Sequence, residues 1–162
     1  MKKFIALFAL MVITLASYAQ VYKMYNTRNY HNQLRLNTMT GEVQQIQDDG
    51  QSWIVCSARE ISGDKESRFR LYETQNMWTF ILLDSYNGRL WQVQYSAQDL
   101  DNLFCIPINK YELVSDNENC IFSIQPLTSM YQYYHINDRT GDMWKFQWST
   151  KGDDYRWIEK FK

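Results

Sequence analysis

Leu36-Asn37-Thr38-Met39-Thr40-Gly41, Leu83-Asp84-Ser85-Tyr86-Asn87-Gly88 and Ile136-Asn137-Asp138-Arg139-Thr140-Gly141 are three versions of one six-residue stretch, about fifty residues apart. Each begins with a branched residue, places Asn or Asp second and ends on Gly. The amide or carboxylate can accept hydrogen bonds from the turn backbone, and glycine reaches positive φ at low cost. Each stretch therefore predicts a hairpin with a four-residue loop, and the repetition predicts three similar units.

Aligning the units on their glycines extends the match. Val43, Leu90 and Met143 stand at plus two; Gln44, Trp91 and Trp144 at plus three; Ile46, Val93 and Phe146 at plus five; Gln47, Gln94 and Gln147 at plus six. Short runs of aromatic and branched residues between turn formers read as strands. Each unit has four of them. The first strand is read at Tyr22-Lys23-Met24-Tyr25, at Phe69-Arg70-Leu71-Tyr72 and, in the third unit, at Tyr111-Glu112-Leu113-Val114. That last choice requires an eleven-residue insertion, placed within Ser115 to Met130. The fourth strand is read at Trp53-Ile54-Val55, Phe104-Cys105-Ile106 and Trp157-Ile158-Glu159.

Alternation divides the third strand of each unit into two faces. Plus three, five and seven give Trp91, Val93 and Tyr95 in the second unit and Trp144, Phe146 and Trp148 in the third, which predicts a core face. The first unit has Gln44, Ile46 and Asp48 there and is the degenerate member. The opposite face carries Gln45, Gln92 and Lys145 and reads as the wetter one.

The chain has 162 residues. Lys2 and Lys3, the apolar run Phe4 to Leu15 and the small residues around Ser17-Tyr18-Ala19 predict a signal peptide over 1–19. Its apolar run is short of the roughly 18 residues that span a bilayer, and no later segment is apolar enough. A secreted or periplasmic location is expected. Residues 20–162 then form one domain by length, with repeats at about 20–66, 67–109 and 110–162. The whole-chain net charge of −1 becomes −3 without Lys2 and Lys3. Dispersed basic residues on such a chain argue against nucleic acid as a partner.

Twelve short strands in three units predict an all-β fold closing into a threefold, β-trefoil-like barrel, which would leave no exposed strand edge. The alternative is a small or oligomer-completed propeller-like ring. Leu83-Asp84-Ser85-Tyr86-Asn87-Gly88-Arg89-Leu90-Trp91 resembles the blade motif of quinoprotein-type β-propellers, with its aspartate, turn glycine and tryptophan. Ile136 to Trp144 resembles it with Asn137 for the aspartate, and the first unit departs further with Asn37 and Gln44. The resemblance covers nine residues per unit and brings no cofactor or activity with it.

Cys56, Cys105 and Cys120 are an odd set for an exported chain. A Cys105–Cys120 disulfide is expected because it would pin the insertion, the alternative being three thiols. No Cys/His cluster suggests zinc. Asp48-Asp49-Gly50 and Gly152-Asp153-Asp154 lack the ligand spacing of calcium loops. No metal or cofactor is expected.

His31 and His135 belong to different repeats and neither adjoins a nucleophile motif. The expected function is a non-catalytic binding module for a glycan or a protein, with Tyr95, Trp148, Tyr155 and Phe122 as candidate ligand-binding residues. Trp91 and Trp144 are expected in the core. The alternatives are a glycoside hydrolase with a carboxylate pair and a protein inhibitor or assembly component acting through the insertion.

Overall fold

A computed structural model describes residues 20–97, 99–116 and 121–161. The expected signal peptide and Cys120 lie outside the described residues. Among the described residues the fold is all-β, with twelve strands in three four-stranded antiparallel sheets. Sheet 1 holds β1 (Tyr22–Asn26), β2 (Asn32–Asn37), β3 (Val43–Gln47) and β4 (Ser52–Cys56). Sheet 2 holds β5 (Phe69–Glu73), β6 (Thr79–Asp84), β7 (Leu90–Gln94) and β8 (Phe104–Pro107). Sheet 3 holds β9 (Phe122–Pro126), β10 (Gln132–Asn137), β11 (Met143–Gln147) and β12 (Trp157–Lys160). Strand order follows chain order in every sheet. Each repeat is thus one meander, and no closed barrel forms among the described strands: pairing stays inside the repeat.

The hairpin turns are built as their residues dictate. Gly41, Gly88 and Gly141 have φ of 78°, 77° and 77°. Asn37 Oδ1 accepts from the amides of Met39 and Thr40 at 3.0 and 3.1 Å, and Asn137 Oδ1 accepts likewise from Arg139 and Thr140. Asp84 Oδ1 accepts from Tyr86 at 3.0 Å. Its carboxylate also receives buried Arg68, at 2.7 to 2.9 Å.

The first strand of the third repeat is Phe122–Pro126, not Tyr111–Val114. Ile124 stands seventeen residues before Gly141, the spacing of Met24 and Leu71 to their glycines. The extra residues therefore lie between repeats, in a linker crossing the turn of sheet 2. There Asn109 accepts from the Leu90 amide and donates to the Gly88 carbonyl, and Leu113 and Val114 donate to Asn87 O.

Sheet 2 lies between the other two, and all six residues of β6 are buried. On one side, Trp91 and Val93 of β7 and Tyr95 just after it join Leu34, Leu36, Val43 and Cys56 of sheet 1. On the other, Ile81, Leu83 and Leu90 meet Trp144 and Phe146 of β11 and Trp148 just after it. The plus three, five and seven face of each later sheet thus packs on the plus two and four face of the sheet before it. Polar bonds repeat the same step. Gln45 donates to Ser96 O at 2.6 Å and accepts from Ser96 N at 3.1 Å. Gln92 accepts from Ser149 N at 3.2 Å and from Arg156 Nε at 2.9 Å. Both glutamines are wholly buried, so the face that reads as wet in sequence is interior in sheets 1 and 2.

The disulfide joins Cys56 of β4 to Cys105 of β8, with Cα atoms 5.2 Å apart. This replaces the expected Cys105–Cys120 pair. A bulge between Val43 and Gln44 turns both Val55 and Cys56 inward, which brings the thiol to sheet 2. The bond closes a loop across 49 residues. Chain-entropy bookkeeping assigns such a loop about 4 kcal/mol. Peptide mapping should recover the Cys56–Cys105 link, and Cys56→Ser should lower unfolding free energy in urea by about 2–4 kcal/mol.

Candidate ligand-binding clefts

The strand ends opposite the glycine turns carry a cleft in each repeat. The largest, about 570 Å³, is lined by Trp78, Gln94, Tyr95, Asp99 and Asn102 of the second repeat, with Asn29 from the β1–β2 turn of the first. A second, about 210 Å³, is lined by Tyr131, Gln147, Trp148, Lys151 and Tyr155. A third, about 160 Å³, is lined by His31, Gln33, Gln47 and Asp48. Their core positions coincide in the repeat. Ten residues before the glycine stand His31, Trp78 and Tyr131; at plus six stand Gln47, Gln94 and Gln147; at plus seven stand Asp48, Tyr95 and Trp148.

One backbone bond fixes that geometry three times. The amides of Asp48, Tyr95 and Trp148 donate to the carbonyls of His31, Trp78 and Tyr131 at 3.0, 3.1 and 3.1 Å. The side chains then face one another. Trp78 and Tyr95 have ring centroids 5.3 Å apart, Tyr131 and Trp148 are 4.9 Å apart, and His31 Nδ1 lies 2.6 Å from Asp48. The imidazole beside it lowers the Asp48 carboxyl below its usual range. Tyr95 Oη and Trp148 Nε1 donate to the carbonyls of Met77 and Met130 at 2.6 and 3.1 Å. Each floor ring is therefore held by its polar atom as well as by its apolar body.

The sequence-chosen residues divide accordingly. Tyr95 and Trp148 are buried and form cleft floors. Tyr155 is half exposed at the rim of the second cleft, with Lys151 Nζ 5.6 Å from its ring centroid. Phe122 does not join them. It lines none of the three clefts and is wholly buried against His135 and Trp144, 3.1 Å from where a β-carbon on Gly88 would stand. Trp91 and Trp144 are in the core. Trp78, Tyr131 and the plus-six glutamines are the wall residues that the sequence reading passed over. Their signal was a recurring ring at minus ten, visible once the glycine alignment is carried upstream.

Two sets of titratable groups away from the clefts are engaged in packing. Asp64, Asp84 and Asp116 converge on Arg68. Burial pushes the Asp84 carboxyl up, and the Arg68 guanidinium and the Tyr86 amide pull the other way. His135 is wholly buried, with Nε2 3.0 Å from Gly88 O and Nδ1 3.2 Å from Ser123 O. Desolvation outweighs those carbonyls and depresses its pKa to about 4. Among the described residues no group of three His, Cys, Asp or Glu side chains could hold a metal ion, and no helix is long and apolar enough to cross a membrane.

No protein-family model matches this chain, and no curated protein or solved structure is significantly similar to it.

His135 sets a pH dependence. Between about pH 6.5 and pH 4 the unfolded chain holds a proton on this imidazole that the folded chain does not, so stability falls as pH falls through that window and levels off below it. The loss should approach about 3 kcal/mol. Urea titrations at pH 7 and pH 4 check it, and the difference should shrink by that amount in His135→Gln.

Proposed function

We propose that this protein is an exported, non-catalytic binding module that holds a glycan in the clefts at the strand ends. The carrying observation is the threefold recurrence of one cleft with a ring at its wall and an amide beside it. A ring face offers an apolar plate, and amides and carboxylates offer both donors and acceptors for hydroxyl groups. The cleft of Trp78, Gln94, Asp99 and Asn102 is the roomiest and is the principal site; the one at Tyr131 and Tyr155 is a second. Concavity with a few convergent polar groups is what small-ligand sites have in common.

Export is supported by the basic-then-apolar start of the chain and by the Cys56–Cys105 bond, a linkage that persists in oxidising compartments. For the architecture we take the propeller-like alternative. Each repeat is a four-stranded meander stacked face to face on the next, and the nine-residue likeness to quinoprotein-type blades falls on the hairpin that makes such a meander.

A glycan array probed with the purified protein tests the function. A specific hit should quench or shift tryptophan fluorescence in solution. Trp78→Ala and Asn102→Ala should each weaken that binding tenfold or more while the Cys56–Cys105 link still maps. Binding unchanged in both variants removes the principal cleft from the proposal; capture of a protein with no glycan hit favours the protein-partner reading.

A further inference from the structure

The two interfaces inside this chain are made by the same step, and its two outermost faces are the halves of a third such step. Three repeated contacts define it. The first-strand residue nineteen before each glycine donates its amide to the turn of the preceding sheet: Phe69 N to Thr38 O at 2.9 Å, and Phe122 N to Ser85 O at 2.8 Å. The same two rings close over the glycine turns, Phe69 3.0 Å from where a β-carbon on Gly41 would be and Phe122 3.1 Å from that on Gly88, with Ile61 nearer still at the first and Leu113 and His135 beside the second. The plus-four glutamine of each sheet engages the plus-eight residue of the next, Gln45 with Ser96 and Gln92 with Ser149.

Among the described residues, sheet 3 presents the start of this step with nothing to complete it. Apart from Gly141 and its two chain neighbours, no described atom lies within 4 Å of the β-carbon position on Gly141. Sheet 1 presents the complementary end. Nineteen residues before Gly41 is Tyr22, an aromatic residue in register with Phe69 and Phe122, and it is 51% exposed. Around it on the outward face of sheet 1 are Met24 at 47% and Ile54 at 58%, and the outward face of sheet 3 carries Phe161 at 49% beside Tyr134. The latch position changes in kind at these two faces alone. Plus four on sheet 3 is Lys145, and plus eight on sheet 1 is Asp49, next to Asp48. A cation thus stands where the glutamine stood, and carboxylates stand where its partner serine stood.

We propose that two copies of this chain associate head to tail, the outward face of sheet 3 of each seating on the outward face of sheet 1 of the other, to close a ring of six sheets. Tyr22 of one copy covers the Gly141 turn of its partner, and Lys145 meets Asp49 across the contact. Two copies are required because closed rings of four-stranded blades typically have four to eight blades, and six is the multiple of three in that range. A head-to-tail contact that closes is also what keeps such a surface from growing into a fibre. This inference rests on the blade-like reading of the stack given above.

Sedimentation equilibrium of the chain expressed from Met1, in the form the cell delivers, tests it. The mass should be that of two copies. Lys145→Glu alone and Asp49→Lys alone should each raise the dimer dissociation constant tenfold or more, and the two together in one chain should restore it, because the opposite charges then meet again. A monomer at every concentration overturns the proposal, as does a dimer indifferent to both substitutions, and open polymers overturn the closure at two copies. Mapping the Cys56–Cys105 link in the same samples separates the two levels. A monomer with the link intact removes the ring and leaves the stack; absence of the link removes the stack itself.

Discussion

The packing of one sheet face on the next is the constraint on which the rest of the molecule depends. No single four-stranded meander here could bury its own apolar residues, since a sheet has two faces and needs cover for each that is hydrophobic. Sheet 2 is the case in point: Leu82 and Leu83 are neighbours in β6 that point to opposite sides, and both are fully buried because one side meets sheet 1 and the other meets sheet 3. Aromatic bulk supplies the fit, with Trp91 and Tyr95 filling the first interface and Trp144, Phe146 and Trp148 the second. Two glutamines set the register by gripping backbone groups of the next sheet. A buried amide is specific when paired: Gln45 is held through both its nitrogen and its oxygen, and Gln92 through its oxygen, its Nε2 having no hydrogen-bond partner among the described residues.

Function, on the reading proposed, grows from the ends of those same strands. The bond from the plus-seven amide to the minus-ten carbonyl is ordinary hairpin pairing, yet it determines which two side chains stand together at each cleft. Where both are rings, as with Trp78 and Tyr95 or Tyr131 and Trp148, the floor is apolar and anchored. Where they are His31 and Asp48, the cleft is smaller and charged. One backbone arrangement therefore carries three chemically different clefts, and the floor rings Tyr95 and Trp148 are anchored by their polar atoms.

The sequence showed the repeats, the hairpins, most of the strands and the inward direction of Trp91, Val93, Trp144 and Phe146, because glycine turns and alternation are local properties. Seventeen-residue spacing would also have placed the third repeat's first strand at Phe122 had it been weighed above the apolar look of Tyr111 to Val114. Other features were not local. The wet-looking plus-four face is interior because Gln45 and Gln92 find backbone partners fifty or so residues away. Phe122 looked available in an inserted segment, and it is instead the ring that seals a turn of the neighbouring sheet.

What the sequence alone determined is the unit: four short strands around one glycine hairpin, repeated three times, with a degenerate first copy. That follows from pattern, and pattern is set within a few residues. What only the tertiary structure decided is how the units meet. The choice between a barrel and a stack, the pairing of Cys56 with Cys105, and the grouping of minus-ten with plus-seven residues into clefts all depend on which face of a sheet lies against which. Alternation can say that two faces differ, but the partner of each face is fixed by shape, buried hydrogen bonds and chain connection acting together in three dimensions.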